Sequence, residues 1–154
     1  MQITVIGCGH LGATHAACMA AVGHQVLGVD IDDGKVRLLN SGRAWFHEPG
    51  LDEMLAEHVA SGRLRFTTSF AEAGAFAGAH FIGVATPGLP DGSYDLSQLR
   101  AALFALAPHL RDGALVIGKS TVPPGTAAIM QATLDRLRPR RHNGTWPAEV
   151  AWNP

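Results

Sequence analysis

The sequence predicts an α/β fold, a doubly wound parallel sheet of six strands with helices on both faces. Three observations predict it. Short apolar runs recur along the 154 residues without the polar alternation of a half-exposed strand, the pattern of strands buried on both faces. A helical pattern separates each run from the next, the rhythm of parallel crossovers. The first run also enters a glycine-rich turn that opens a helix directly. Six strands joined in this way predict the order 3-2-1-4-5-6.

The elements follow from local chemistry. Gln2–Ile6 and Gln25–Val29 read as the first two strands, with an Ala-rich helix from about His10 to Val22 between them. Its small residues Ala13, Ala16, Ala17, Ala20 and Ala21 suit close packing on a sheet. Asp32 can cap a short helix that stops at Gly42. A further helix starts near Leu51, carries Leu51, Met54, Leu55 and Val59 along one stripe, and ends at Gly62. Leu64–Thr67 is the third strand, and Ser69-Phe70-Ala71-Glu72 has the form of a capping box. His80–Ala85 is the fourth strand. Asp95 caps the next helix, in which Leu96, Leu99, Leu103 and Leu106 share a face. Ala114–Gly118 is the fifth strand. Gly125 to about Leu137 is helical with Met130, Leu134 and Leu137 inward, and Glu149–Trp152 is the sixth strand.

Composition excludes several functions. A formal net charge of −1 gives no electrostatic case for a polyanion or an anionic membrane. The local cluster Arg136, Arg138, Arg140 and Arg141 reads as a solvated helix end and loop. No apolar run approaches the roughly 20 residues of a membrane span, and MQITVIGCG lacks the basic and long apolar regions of a signal peptide. Cys8 and Cys18 form neither a disulfide framework nor a zinc pattern, so no metal is expected. The expected setting is the reducing cytoplasm, where Asn143-Gly144-Thr145 is a turn and not a glycosylation site.

Within VIGCGHLG, Gly7, Gly9 and Gly12 have the G-x-G-x-x-G spacing, with Cys8, His10 and Leu11 between them. The first glycine permits the tight turn, the second lets backbone approach a pyrophosphate, and the third lets helix and strand close together. Alone this pattern is weak. Here a strand precedes it, a helix follows, and Asp30 stands at the tip of the second strand, the context that a Rossmann-type dinucleotide site requires. A carboxylate there accepts from the adenosine ribose hydroxyls and repels a 2′-phosphate, so NAD is favoured over NADP.

Polar residues past other strand tips extend the site. Thr86 and Pro87 follow the fourth strand, and Lys119-Ser120-Thr121-Val122-Pro123-Pro124-Gly125-Thr126 follows the fifth. Ligands in such sheets bind beyond the carboxyl ends of the strands, so Thr86 and Thr121 should face the crevice holding the nicotinamide. Ser120 and Thr126 read equally well as helix-entry residues.

With GCGHLG, GHQVLGVDID, EPGLDEML, GRLRFTTS, FIGVATP, KSTVPPGT and AWNP at their spacing, the chain resembles the UDP-glucose/GDP-mannose dehydrogenase family, closest to its bacterial UDP-glucose branch. The resemblance runs through all 154 residues but covers only that family's N-terminal NAD-binding portion. It implies that Gly7 to Gly12, Asp30 and Lys35 hold the adenosine diphosphate half of NAD. Thr86 would lie along the cofactor, and Thr121 would reach the catalytic centre, where the family's threonine helps to position a water. The implied reaction oxidises a sugar C6 alcohol to a carboxylate with two NAD, through a thiohemiacetal and a thioester on a cysteine. In the family that cysteine lies downstream, as do an acidic residue, a lysine, the dimer helix and the nucleotide-sugar domain. The 154 residues are therefore expected to be one domain that binds NAD without catalysing. His10 stands where the family usually has Tyr, and Ala79 where it commonly has Asp. UDP-N-acetylmannosamine and GDP-mannose oxidation, or a non-catalytic dinucleotide-binding module, are the alternatives.

Other residues read as structural. Cys8 and Cys18 are small apolar fillers on packed stretches. His58, on an apolar stripe, reads as a satisfied boundary histidine, and His24 belongs to a turn. His10 and His15, five apart, do not align for a metal. Trp45, Phe46 and His47 either cover bound cofactor or anchor their loop by burial, the second being the stronger expectation.

Overall fold

The computed structural model describes residues 1–138 and 148–154. In chain order the elements are β1 (Gln2–Ile6), α1 (His10–Ala21), β2 (Gln25–Val29), α2 (Asp33–Asn40), α3 (Leu51–Ala60), β3 (Leu64–Thr67), α4 (Phe70–Phe76), β4 (Ala79–Ile82), α5 (Ser97–Leu106), β5 (Ala114–Gly118), α6 (Thr126–Leu137) and β6 (Ala148–Trp152), with a short 3₁₀ turn at Ala107–His109. The strands form one parallel sheet in the order β3-β2-β1-β4-β5-β6. The register pairs Ile6 with Val29 on one side and with Ile82 on the other. The tips of β1, β2 and β4 thus end level, and the loops beyond them meet.

Two apolar layers sandwich the sheet. On one face Ala13, Ala16, Ala17 and Ala20 of α1 lie against Ile3, Val5 and Val26, with Leu51 and Leu55 of α3 beside them. The alanines matter because their side chains let α1 approach the sheet closely. On the other face Leu99, Leu103 and Leu106 of α5 pack with Met130 and Leu134 of α6 on Ile6, Ile82 and Val116.

The expected boundaries hold for β1, β2, β3 and β5, and several local expectations are corrected. β4 stops at Ile82, three residues early. Gly83 N still donates to Ile6 O (2.8 Å), but the chain then leaves the ladder. The capping box is half formed. Ser69 Oγ accepts from Glu72 N (3.1 Å), whereas the Glu72 carboxylate turns to Arg65, whose guanidinium holds it below the usual carboxylate range. Leu137, in the last turn of α6, is 36% exposed, and Cys18 is exposed on α1. Asp95 stands one residue before the N-cap of α5, Leu96, and accepts from Ser97 N (2.8 Å), a local turn bond in place of the expected cap. Arg138 donates to Leu110 O and pairs with Asp112 at 3.2 Å, so it is not a solvated arginine. Arg140, Arg141 and the Asn143-Gly144-Thr145 turn lie outside the described residues.

Among the described residues His58 and His80 are buried, and His15 and His24 are half-buried. His58 is 4% exposed, yet its Nδ1 has no hydrogen-bond partner and lies 3.9 Å from Glu57, so it is buried but not satisfied. His80 in β4 is fully buried and shares a 2.7 Å hydrogen bond between Nδ1 and Thr4 Oγ1 of β1. Burial, helped by the Arg111 charge, pushes the His80 imidazole down to about 4. Burial first, and Lys119 second, push half-buried His15 in the same direction.

Because native His80 refuses a proton that the unfolded chain binds, stability is complete above pH 6.5 and declines as pH falls toward 4. The loss reaches about 3 kcal/mol at the lower end. Urea midpoints measured from pH 7 to 5 should fall for the parent chain and fall less for His80→Leu. Parallel slopes would remove His80 as the cause.

Candidate dinucleotide site

The site grows from the β1–α1 turn. Gly7 has φ of +87°, a left-handed backbone that side chains resist, and its amide donates to Val29 O (2.7 Å). Gly12, one helical turn on, lies so close to that turn that a Cβ would overlap the Gly7 carbonyl oxygen. Around Gly9, in contrast, a Cβ would meet nothing within 4 Å. One glycine is needed for packing and the other leaves open space facing the cavity. No side chain caps α1 and no acidic residue sits in its first turn. Its first amides and its dipole are thus offered to an anion.

Asp30 closes the turn from β2. Its Oδ2 accepts from Cys8 N (2.9 Å) and its Oδ1 from Asp32 N (3.0 Å). An ionised carboxylate has about four acceptor positions, so these two bonds orient it and leave capacity for ribose hydroxyls. The sequence pointed to Asp30 as a ligand group. Its second role, tying the phosphate turn to the tip of β2, is set by the tertiary structure.

A cavity of about 1010 Å³ runs along the sheet's carboxyl edge. That is the upper end of the usual span for small-ligand pockets and gives room for an extended dinucleotide. Gly7, Gly9, His10 and Leu11 line it at the turn, Asp30 and Lys35 at one end, and Thr86, Ser120 and Thr121 at the other. Cys8, Gly12 and Pro87 are not among its lining residues: Cys8 is fully buried beneath the turn, Gly12 is packed on Gly7, and Pro87 lies exposed in the following loop.

The far end is a lattice of hydrogen bonds. Thr86 Oγ1 donates to Thr121 O (2.7 Å) and Ser120 Oγ to Val84 O (2.6 Å), so the loops after β4 and β5 brace each other. The Ser120 hydroxyl is therefore committed to backbone. Thr126 Oγ1 likewise donates to Pro123 O (2.7 Å), while Ser120 also lines the cavity. From β6, Trp152 Nε1 donates to Ser120 O (3.0 Å), while Lys119 Nζ donates to Asn153 Oδ1 (3.0 Å).

Two lining residues differ from expectation. Trp45 is 44% exposed and faces the cavity, with Lys35 Nζ 5.0 Å from its ring centroid. Phe46 stacks on His10 at 3.9 Å between centroids. The loop is held by ring stacking and a cation over an aromatic face, and the tryptophan is not buried as an anchor. Lys119 lines the opposite end and went unassigned in the sequence reading. Its place one residue before Ser120-Thr121, past a strand tip, was the available signal.

Neither cysteine is a nucleophile at this site. Burial and the Asp30 carboxylate drive the Cys8 thiol far up, and its Sγ contacts Val29 O at 3.5 Å. Cys18 faces away from the cavity on the outer side of α1. Among the described residues no cluster of His, Cys, Asp and Glu could hold a metal.

The two glycines should respond oppositely to an added methyl group. Gly12→Ala should lower the thermal midpoint by several degrees and abolish dinucleotide binding. Gly9→Ala should leave the midpoint within a degree or two while weakening binding of the pyrophosphate, as read by calorimetry. Equal thermal losses in both variants would contradict the packing argument.

Comparison with known proteins agrees with this geometry. A profile described as "UDP-glucose/GDP-mannose dehydrogenase family, NAD binding domain" matches residues 1–154. The UDP-glucose 6-dehydrogenase of Pseudomonas aeruginosa is 41% identical over 154 residues, covering 100% of this chain and 34% of that protein. The enzyme of the same name from Rhizobium meliloti is 41% identical over 140 residues, 90% of this chain and 32% of that one. Among solved structures, GDP-mannose dehydrogenase from Pseudomonas aeruginosa superposes with a TM-score of 0.92 at 32% identity, covering 100% of this chain and 36% of that one. UDP-glucose dehydrogenase from Pyrobaculum islandicum gives 0.86 at 39% identity, with 99% and 35% covered. The chain spans about a third of the length of these relatives. The glycine turn, the acidic strand tip and the whole-chain match together establish that this chain belongs to the UDP-glucose/GDP-mannose dehydrogenase family, as its NAD-binding domain.

Proposed function

We propose that residues 1–154 act as the cofactor domain of an NAD-dependent nucleotide-sugar 6-dehydrogenase that converts UDP-glucose to UDP-glucuronate with two NAD and one water. The observation that carries the proposal is the single crevice that opens at the Gly7–Gly12 turn and Asp30 and ends at the braced Thr86–Thr121 pair. Identity to relatives named UDP-glucose 6-dehydrogenase supports the choice of sugar. The 0.92 superposition on a GDP-mannose dehydrogenase supports GDP-mannose as a second reading.

The chain's residues divide the work by position. The α1 amides and the open space at Gly9 receive the pyrophosphate, Asp30 takes the adenosine ribose, and Lys35 with Trp45 walls that end. Bound in the crevice, the nicotinamide supplies the hydride acceptor for the sugar C6 carbon. Thr121, at the end of the crevice, orients a water toward the reacting group, and Thr86 fixes the Thr121 backbone through its hydrogen bond. No cysteine here can form the covalent intermediate, so the nucleophile, the nucleotide-sugar pocket and the subunit contacts belong to the remaining two thirds of such an enzyme. The reading also puts the reaction in the cytoplasm. The described residues contain no helix long and apolar enough to cross a membrane.

NAD should bind more tightly than NADP, and Asp30→Ala should weaken NAD by about 1.5–3 kcal/mol, at least about tenfold in Kd. Calorimetry giving equal affinities, or an unchanged Kd in the variant, would reject the role of Asp30. The 154-residue chain mixed with UDP-glucose and NAD should generate no NADH. A steady rise in NADH absorbance would show that the nucleophile lies within it.

A further inference from the structure

The charged residues of the crevice are unevenly placed. Asp30, Asp32 and Lys35 line the end beside β2, where opposite signs offset one another. At the other end, beside Ser120 and Thr121, Lys119 is the charged lining residue among those described. Its ammonium is held by the neutral Oδ1 of Asn153 at 3.0 Å, and the backbone on both sides is fixed. Lys119 N donates to Ile82 O (2.8 Å), Asn153 N to Gly118 O (2.9 Å), and the Trp152 indole to Ser120 O (3.0 Å). No ion pair between described residues involves Lys119. Burial first, and the Lys119 charge second, keep half-buried His15 toward its neutral form. The positive charge is held in place with no carboxylate paired to it among the described residues.

We propose that Lys119 is a positioning cation that sets the redox preference of the crevice, favouring the reduced dinucleotide, whose nicotinamide is neutral, over the oxidised one, whose nicotinamide is cationic. The proposal rests on the cofactor reading above. Like charges across a half-open crevice repel at intermediate dielectric, so the charge weakens NAD+ and leaves NADH and the adenosine half untouched. Such a bias lowers NAD+ affinity relative to NADH and makes NAD+ binding, not NADH binding, sensitive to ionic strength.

The test compares dissociation constants of NAD+, NADH and ADP-ribose for the parent chain, Lys119→Met and Lys119→Arg at low salt. ADP-ribose shares the adenosine diphosphate half and lacks the nicotinamide. In the parent, NADH should bind more tightly than NAD+. Lys119→Met should shrink that ratio by roughly 3- to 30-fold at constant ADP-ribose affinity, and Lys119→Arg should restore it. A parent chain that binds NAD+ as tightly as NADH overturns the proposal whatever the variants do. So does a Met variant that keeps the ratio. If the parent fails to bind ADP-ribose at all, the cofactor reading itself falls, an outcome distinct from either.

Discussion

The approach of Gly12 to the Gly7 carbonyl governs where the rest of the site can be. It draws the first turn of α1 against the end of β1, so that the uncapped amides point along the sheet edge and into the crevice. The alanine face of α1 continues the same close approach along the helix, with Ala13, Ala16, Ala17 and Ala20 fully buried on the sheet. A helix with larger residues on that face would stand off from the sheet and carry the turn, with its Cys8 amide, away from the Asp30 carboxylate. The Cys8 N–H to Asp30 bond then locks turn and strand tip into one unit.

From that unit the crevice extends by parallel pairing. Because β1 lies between β2 and β4, the loop that binds phosphate is flanked by the loop bearing Asp30 and the loop bearing Thr86. β5 and β6 carry the edge further, and each step is secured by a bond that spans the sheet: Thr86 to Thr121, Ser120 to Val84, Trp152 to Ser120. These braces make the far end a fixed surface. Its polarity and the Lys119 charge are therefore properties of the fold.

The buried polar groups mark where the sheet accepts a cost to stability. Thr4 and His80 face each other between β1 and β4 in an apolar layer, and their mutual hydrogen bond offsets their desolvation only in part. The neutral imidazole is the form that such a site tolerates. It lies beneath the sheet edge, away from the crevice, and shapes the pH response of the fold without touching bound dinucleotide.

Most of the architecture was legible residue by residue. The limits of β1, β2, β3 and β5 could be read because unbroken apolar runs and the punctuating glycines and aspartates are local signals. The glycine spacing with Asp30 marked the dinucleotide end for the same reason. The tertiary structure decided what depends on long-range pairing. β4 ends early because Gly83–Ala85 leave the ladder, with Val84 O taken by a hydroxyl 36 residues away. Glu72 abandons its capping role for Arg65 on the adjacent strand. Trp45 turns to the crevice because Lys35 and the His10–Phe46 stack meet it there. Lys119 acquires its fixed position only when β6 brings Asn153 alongside β5. Hydrophobic period and turn chemistry act over a few residues, whereas which charges face a cavity is set by contacts between segments distant in the chain.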